Sequence, residues 1–122
     1  MLQTFLLGKI HRATVTDASV DYEGSLAVSS DLLEAAGMRP GEKVLVGVIP
    51  TGARFETYLI PAPPGQGAFI LNGAAAHHGK KGDLLTVMTF ALLTPEQAKT
   101  HRAKSVLLGS NNRISRISEI PS

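Results

Sequence analysis

At 122 residues the chain suits one domain with a moderate core, residues 1–122. A net charge of +2 is too small to imply a nucleic-acid partner, and with no cysteine there is no disulfide, thiolate nucleophile or cysteine metal site. No apolar run approaches ~20 residues, so no membrane span is expected, and "MLQTFLLGKIHR" lacks the core and cleavage site of a signal peptide; a cytoplasmic location fits.

Short β-type runs dominate. "TFLLGKIHRATVTDA" alternates and is rich in β-branched residues, which predicts strands near 3–7 and 9–16. "EGSLAVS" continues as strand past a bend at Gly24-Ser25. "SSDLLEAAGM" predicts a helix: Ser29 or Ser30 caps it, Leu32, Leu33 and Ala36 form its apolar side, and Gly37 stops it. "RPGEK", "PTGA" and "PPGQG" read as turns between the strands "EKVLVGVI", "RFETYLIPA" and "AFILNG". "AAAHHGKKG" follows as a short helical turn and loop. "DLLTVMTFALL" is a further strand, "TPEQAKTH" the start of a short helix, and the tail "SVLLGSNNRISRISEIPS" one strand and then little regularity. Seven or so strands with one or two short helices predict an all-β fold, a small barrel whose closure removes sheet edges.

Four groups of residues can carry chemistry. Lys9 and His11 are two apart on a strand and share a face, where they can bind an anion; spacing alone favours a solvent-facing edge. Arg54 and Tyr58 share a face of one strand while Thr57 points the other way. For Thr57 and Tyr58 to work together, the strand must bulge or the site must use both faces between subunits. In "LNGAAAHHG", the small residues after Asn72 let a backbone approach a ligand, and the amides of Gly73, Ala74 and Ala75 can form an anion-binding concavity; tight packing explains the alanines equally well. His77 and His78 are adjacent and have no third ligand in view, so no metal site is expected. Gly24-Ser25 has neither a Gly-x-Ser-x-Gly elbow nor an apparent acid-base relay around it, which argues against a conventional hydrolase.

"GKIHRATVT", "YEGS", "DLLEAAG", "RFETY", "LNGAAAH" and "GD" occur in one order from about residue 1 to 90. Together they resemble the aspartate 1-decarboxylase family, pyruvoyl-dependent enzymes that make β-alanine for pantothenate and coenzyme A. Thr51-Gly52 stands where the family often has Asn-Gly. The resemblance implies a six-stranded double-psi β-barrel, assembled as a homotetramer with active sites between subunits. It further implies a proenzyme that cuts itself between Gly24 and Ser25 into pieces 1–24 and 25–122. The Ser25 hydroxyl attacks the Gly24 carbonyl, the acyl group moves from nitrogen to oxygen, and β-elimination leaves dehydroalanine. Hydrolysis then gives a pyruvoyl group and ammonia. The ketone takes the amine of L-aspartate as a Schiff base and serves as an electron sink, as pyridoxal phosphate does.

By the same resemblance, Thr57 assists the cut and contacts substrate, Tyr58 donates a proton, and Gly73 to Ala75 bind substrate. Arg54 grips a carboxylate, with Lys9, His11 and Asn72 also at the substrate. A helper protein for maturation is left open by the sequence. A second likeness, of "SSDLLEAAGMRPGEKVLV" to swapped-hairpin DNA-binding regulators of the transition-state type, predicts a basic groove and steep salt dependence; the small net charge speaks against it.

Overall fold

The computed structural model describes residues 1–121. The elements run β1 (Gln3–Thr14), β2 (Asp17–Ser19), β3 (Ser25–Ser29), α1 (Ser30–Ala36), β4 (Lys43–Val48), β5 (Arg54–Ala62), β6 (Phe69–Asn72), a 3₁₀ turn (Gly73–His77) and β7 (Leu84–Leu93). They continue with α2 (Pro95–Thr100), β8 (Arg102–Leu108), a second 3₁₀ turn (Ser110–Asn112) and β9 (Ile114–Pro121). The all-β class holds, with helices limited to short connections.

The strand order is β2-β6-β3-β5-β4-β7-β1-β8-β9. Nine strands replace the expected six, and no ladder among the described residues joins β2 to β9. The sheet nevertheless curls, because strands from both halves of the order share one core. Leu26 of β3, Leu59 of β5 and Phe69 and Leu71 of β6 meet Ile10 of β1, Leu85 and Val87 of β7 and Val106 of β8 in a single buried cluster. Burying each such side chain contributes about 1.5–3 kcal/mol.

Two expectations are corrected at the ends of the chain. The predicted strands at 3–7 and 9–16 are one strand, β1, with register shifts against β7 between Leu6 and Gly8 and between His11 and Ala13. A bulge absorbs the irregular pattern without ending the strand. At the second shift Arg12 takes φ 63°. The tail is regular rather than frayed: β8 and β9 form an antiparallel pair from Arg102–Pro121 to Leu108–Ile114. Every β9 residue is exposed, so hydrogen bonding and not burial orders it, and an apolar pattern could not have revealed it.

α1 ends as predicted. Gly37 is left-handed at φ 69°, and its N–H and that of Met38 reach the Glu34 and Leu33 carbonyls. Ser29 occupies the N-cap without a side-chain capping bond; its hydroxyl accepts instead from the Ala68 amide at 2.8 Å, tying α1 to the approach of β6.

Candidate active site

β3 begins at Ser25, directly after the exposed stretch Val20–Gly24. Ser25 is only 2% exposed. Its hydroxyl accepts from Asn72 Nδ2 at 3.2 Å and donates to the Glu23 carbonyl at 3.4 Å. Asn72 is its cross-strand partner in the antiparallel β3/β6 pair. The hydroxyl is thus held by β6 on one side and its own turn on the other, with no base among these partners.

Ser25, Asn72 and Tyr58 line one cleft of ≈ 530 Å³ with Tyr22, Asp17 and Glu23. Its charged side chains are carboxylates only. Tyr58 arrives there through β5. The parallel β3/β5 register sets Leu26 beside Leu59. The ladder starts at that pair, one residue beyond Ser25 and Tyr58, and Gly24 lies in the bend ahead of it. In the β4/β5 pair Tyr58 lies opposite exposed Lys43, and Thr57 opposite buried Val44. The pairing runs from Lys43–Tyr58 to Gly47–Arg54 with no register shift, so Thr57 and Tyr58 do face opposite sides. No bulge reconciles them.

The cationic residues gather elsewhere. Lys9 and Arg54 line a second cleft, of ≈ 340 Å³, with Thr86 and Met88. Ladder pairing builds it: Lys9 stands opposite Met88 and His11 opposite Thr86, while Gly47 stands opposite both Thr86 and Arg54. Residues directly opposite share a face, so Lys9, His11 and Arg54 converge on one outward surface. Among the described residues neither Lys9 nor Arg54 forms an ion pair. His11 Nδ1 and Thr86 Oγ1 share a hydrogen bond at 3.0 Å. Burial, then Lys9 and Arg12, lower the His11 pKa below the ordinary histidine value, which favours a neutral ring.

The structure therefore divides the predicted residues into two sets. Ser25, Tyr58 and Asn72 share one cleft; Lys9 and Arg54 share another, with His11 beside it on Thr86; Thr57 lines neither. Gly73, buried, opens the 3₁₀ turn behind Asn72, with Ala74 exposed and Ala75 packed into the core. The Ala74 amide nitrogen lies 3.8 Å from the position a Gly24 methyl would take. Sequence reasoning missed Asp17 and Thr86, whose positions depend on β2/β6 and β1/β7 pairing across distant parts of the chain, and Glu23, which local chain places beside Ser25. His77 and His78 do not join either cleft; His78 stacks on Phe55 at 4.8 Å between ring centroids. Among the described residues no three His, Asp or Glu side chains gather to hold a metal ion, and no helix is long and apolar enough to cross a membrane.

The family model for aspartate decarboxylase matches residues 1–115. This chain belongs to the aspartate decarboxylase family. An aspartate 1-decarboxylase of Listeria monocytogenes serotype 4a is 49% identical over 117 residues, covering 96% of this chain and 92% of that protein. One from Methylibium petroleiphilum is 49% identical over 114 residues, covering 93% and 95%. One from a Geobacillus species is 45% identical over 117 residues. The aspartate decarboxylase match spans both clefts and the whole of the regulator-like stretch, and so sets the DNA-binding alternative aside.

Proposed function

We propose that this chain decarboxylates L-aspartate to β-alanine and CO2 after cutting itself between Gly24 and Ser25 into pieces 1–24 and 25–122. The observation that carries the reading is Ser25: a buried hydroxyl at the head of a strand, held by Asn72 and Glu23, with an exposed glycine before it and a tyrosine in its cleft.

In maturation the Ser25 oxygen attacks the carbonyl carbon of Gly24. Thr57, two residues before the Leu59 that pairs with Leu26, donates to the oxyanion that builds there. A pyruvoyl group at position 25 fits its surroundings, because Asn72 Nδ2 already donates to the oxygen of that residue. When present, that group supplies the electron sink for the bond that breaks.

The remaining work belongs to side chains. Tyr58 holds the proton delivered to the substrate Cα. Arg54, helped by Lys9, grips the side-chain carboxylate; gripping the departing carboxylate would stabilise the ground state and oppose reaction. His11, whose lowered pKa favours the neutral ring, helps orient the substrate.

Within one chain these groups line separate clefts. Arg54 and Tyr58 are four residues apart on an unbulged strand, about 13 Å along it. The charged side chains of the Ser25 cleft are carboxylates, which repel a dicarboxylate, and the Lys9–Arg54 cleft lacks Ser25 and Tyr58. Joining the Ser25 cleft of one copy to the cationic face of another gives both charge balance and reach. Exposed Phe90 and Leu92 on β7 extend that cationic face as an apolar surface. We therefore read the working sites as lying between subunits, in the homotetramer that the family resemblance implies. Each subunit would be a double-psi barrel, supported by the shared core and by parallel pairing of β2 with β6, β3 with β5 and β1 with β8.

The test is the intact mass of the purified protein. Two pieces are expected, the larger lighter by one ammonia than a simple hydrolytic cut before Ser25 would leave. A single uncut chain with full activity on L-aspartate would overturn the reading.

A further inference from the structure

The stretch Val20–Gly24 is exposed throughout, and little in its own bonding fixes it. The hydrogen bonds that hold it are long: the Asp21 amide donates to Ser19 Oγ at 3.4 Å, and Glu23 accepts from Ser25 Oγ at 3.4 Å. What the stretch does have is a close backbone approach to Gly73.

Gly73 is left-handed at φ 61°. A methyl group built on it would overlap the Tyr22 carbonyl oxygen. It would also lie 2.5 Å from the Gly24 nitrogen and 2.8 Å from the Glu23 carbonyl carbon. All three are backbone atoms, so no side-chain rotation relieves the overlap. Gly24 differs. Its φ is not left-handed, and a methyl on it would stand 3.8 Å from the Ala74 nitrogen and 4.0 Å from the Asn72 carbonyl oxygen, ordinary contact distances. The steric demand for glycine therefore lies across the contact from the bond that breaks.

The residue before Gly73 is Asn72, which holds the Ser25 hydroxyl. One turn thus governs both partners of the attack. Asn72 orients the oxygen, and Gly73 sets where the peptide ahead of it can lie. On the reading that the chain matures at Gly24-Ser25, we propose that Gly73 is a positioning residue for that maturation. Its bare Cα lets the Tyr22–Gly24 backbone rest against the turn and keeps the Gly24 carbonyl carbon within reach of the Ser25 oxygen. This role comes before any contact with substrate, which needs the cut to have happened.

The test follows cutting of the purified full chain over time by intact mass, with circular dichroism and thermal unfolding to report the fold. The variants are Gly73→Ala and Gly73→Asn. Gly37→Ala is the control, because Gly37 has a similar φ of 69° but only the Lys104 side chain, at 4.0 Å, near an added methyl. Wild type and Gly37→Ala should cut alike. Gly73→Ala should fold but cut roughly 100-fold more slowly, the scale of loss when a reacting atom is displaced by about 1 Å. Gly73→Asn should do no better, although Asn tolerates left-handed backbone, because its Cβ meets the same atoms.

Cutting of Gly73→Ala at the wild-type rate would overturn the proposal. So would rescue by Gly73→Asn, which would assign the effect to backbone strain rather than space. A Gly73→Ala chain that cannot fold would also count against it, since an exposed segment can swing aside without breaking the core. A wild type that never cuts would instead sink the maturation reading itself.

Discussion

The two clefts are opposites. One is acidic and phenolic and holds a buried hydroxyl; the other is cationic, lies on an open sheet face and has His11 beside it, its pKa lowered by burial. Local chain builds most of the first: Tyr22, Glu23 and Ser25 are near neighbours, and Asn72 and Tyr58 come in on the strands paired to β3. The second is built by ladder register among β1, β4, β5 and β7, closed by the β4–β5 turn. The difference teaches that the chemistry-bearing and the cationic side chains lie apart in one chain; on the proposed reading one cleft supplies the chemistry and the other the grip.

Variants that separate chemistry from grip should break the two clefts differently. Tyr58→Phe should leave cutting intact and lower kcat by about 10²–10⁴-fold with little change in KM, as loss of a proton donor does. A large rise in KM instead would move Tyr58 to the gripping side. Thr57→Val should act earlier and slow self-cutting by about 10²–10³-fold, the scale of one lost oxyanion donor. Normal maturation of that variant would remove Thr57 from the step. Arg54→Lys should cut normally but lose about 10- to 150-fold in kcat/KM, because the charge stays while the two-pronged geometry goes. Unchanged use of L-aspartate would mean that Arg54 does not hold it.

How much of this was legible beforehand follows the same division. Leu32, Leu33, Ala36 and Gly37 carried enough pattern to place α1, and the alternation in "RFETY" correctly set Thr57 against Tyr58. Gly24-Ser25 became informative only through resemblance, since a Gly-Ser bend has no signature of its own. Periodicity could not show that Arg54 and Tyr58, though on one face, serve different clefts. That depends on which strands flank each end of β5: β4 pairs with its first half and β3 with its second. β9 escaped notice for another reason: an exposed edge strand buries nothing and leaves no hydrophobic trace.

The smallest effect concerns His11. Its pKa is lowered in the fold, first by burial and then by Lys9 and Arg12, so folding favours the neutral ring. That contribution is fully present above the ordinary histidine value and is lost as pH falls through the lowered one. Thermal stability of the wild type should therefore fall more steeply than that of His11→Gln on acidification from neutrality. Equal slopes would mean that His11 is not the group responsible.

The claim on which the account turns is that a working site takes Ser25 and Tyr58 from one copy and Arg54 from another. Its most direct measurement is decarboxylation by mixed oligomers made by co-expressing two inactive chains, Ser25→Ala and Arg54→Ala. Random mixing should restore about a quarter of the sites, whereas co-expressing Ser25→Ala with Tyr58→Phe should restore none beyond the parents. Activity in the first mixture no greater than that of the two parents alone would contradict it.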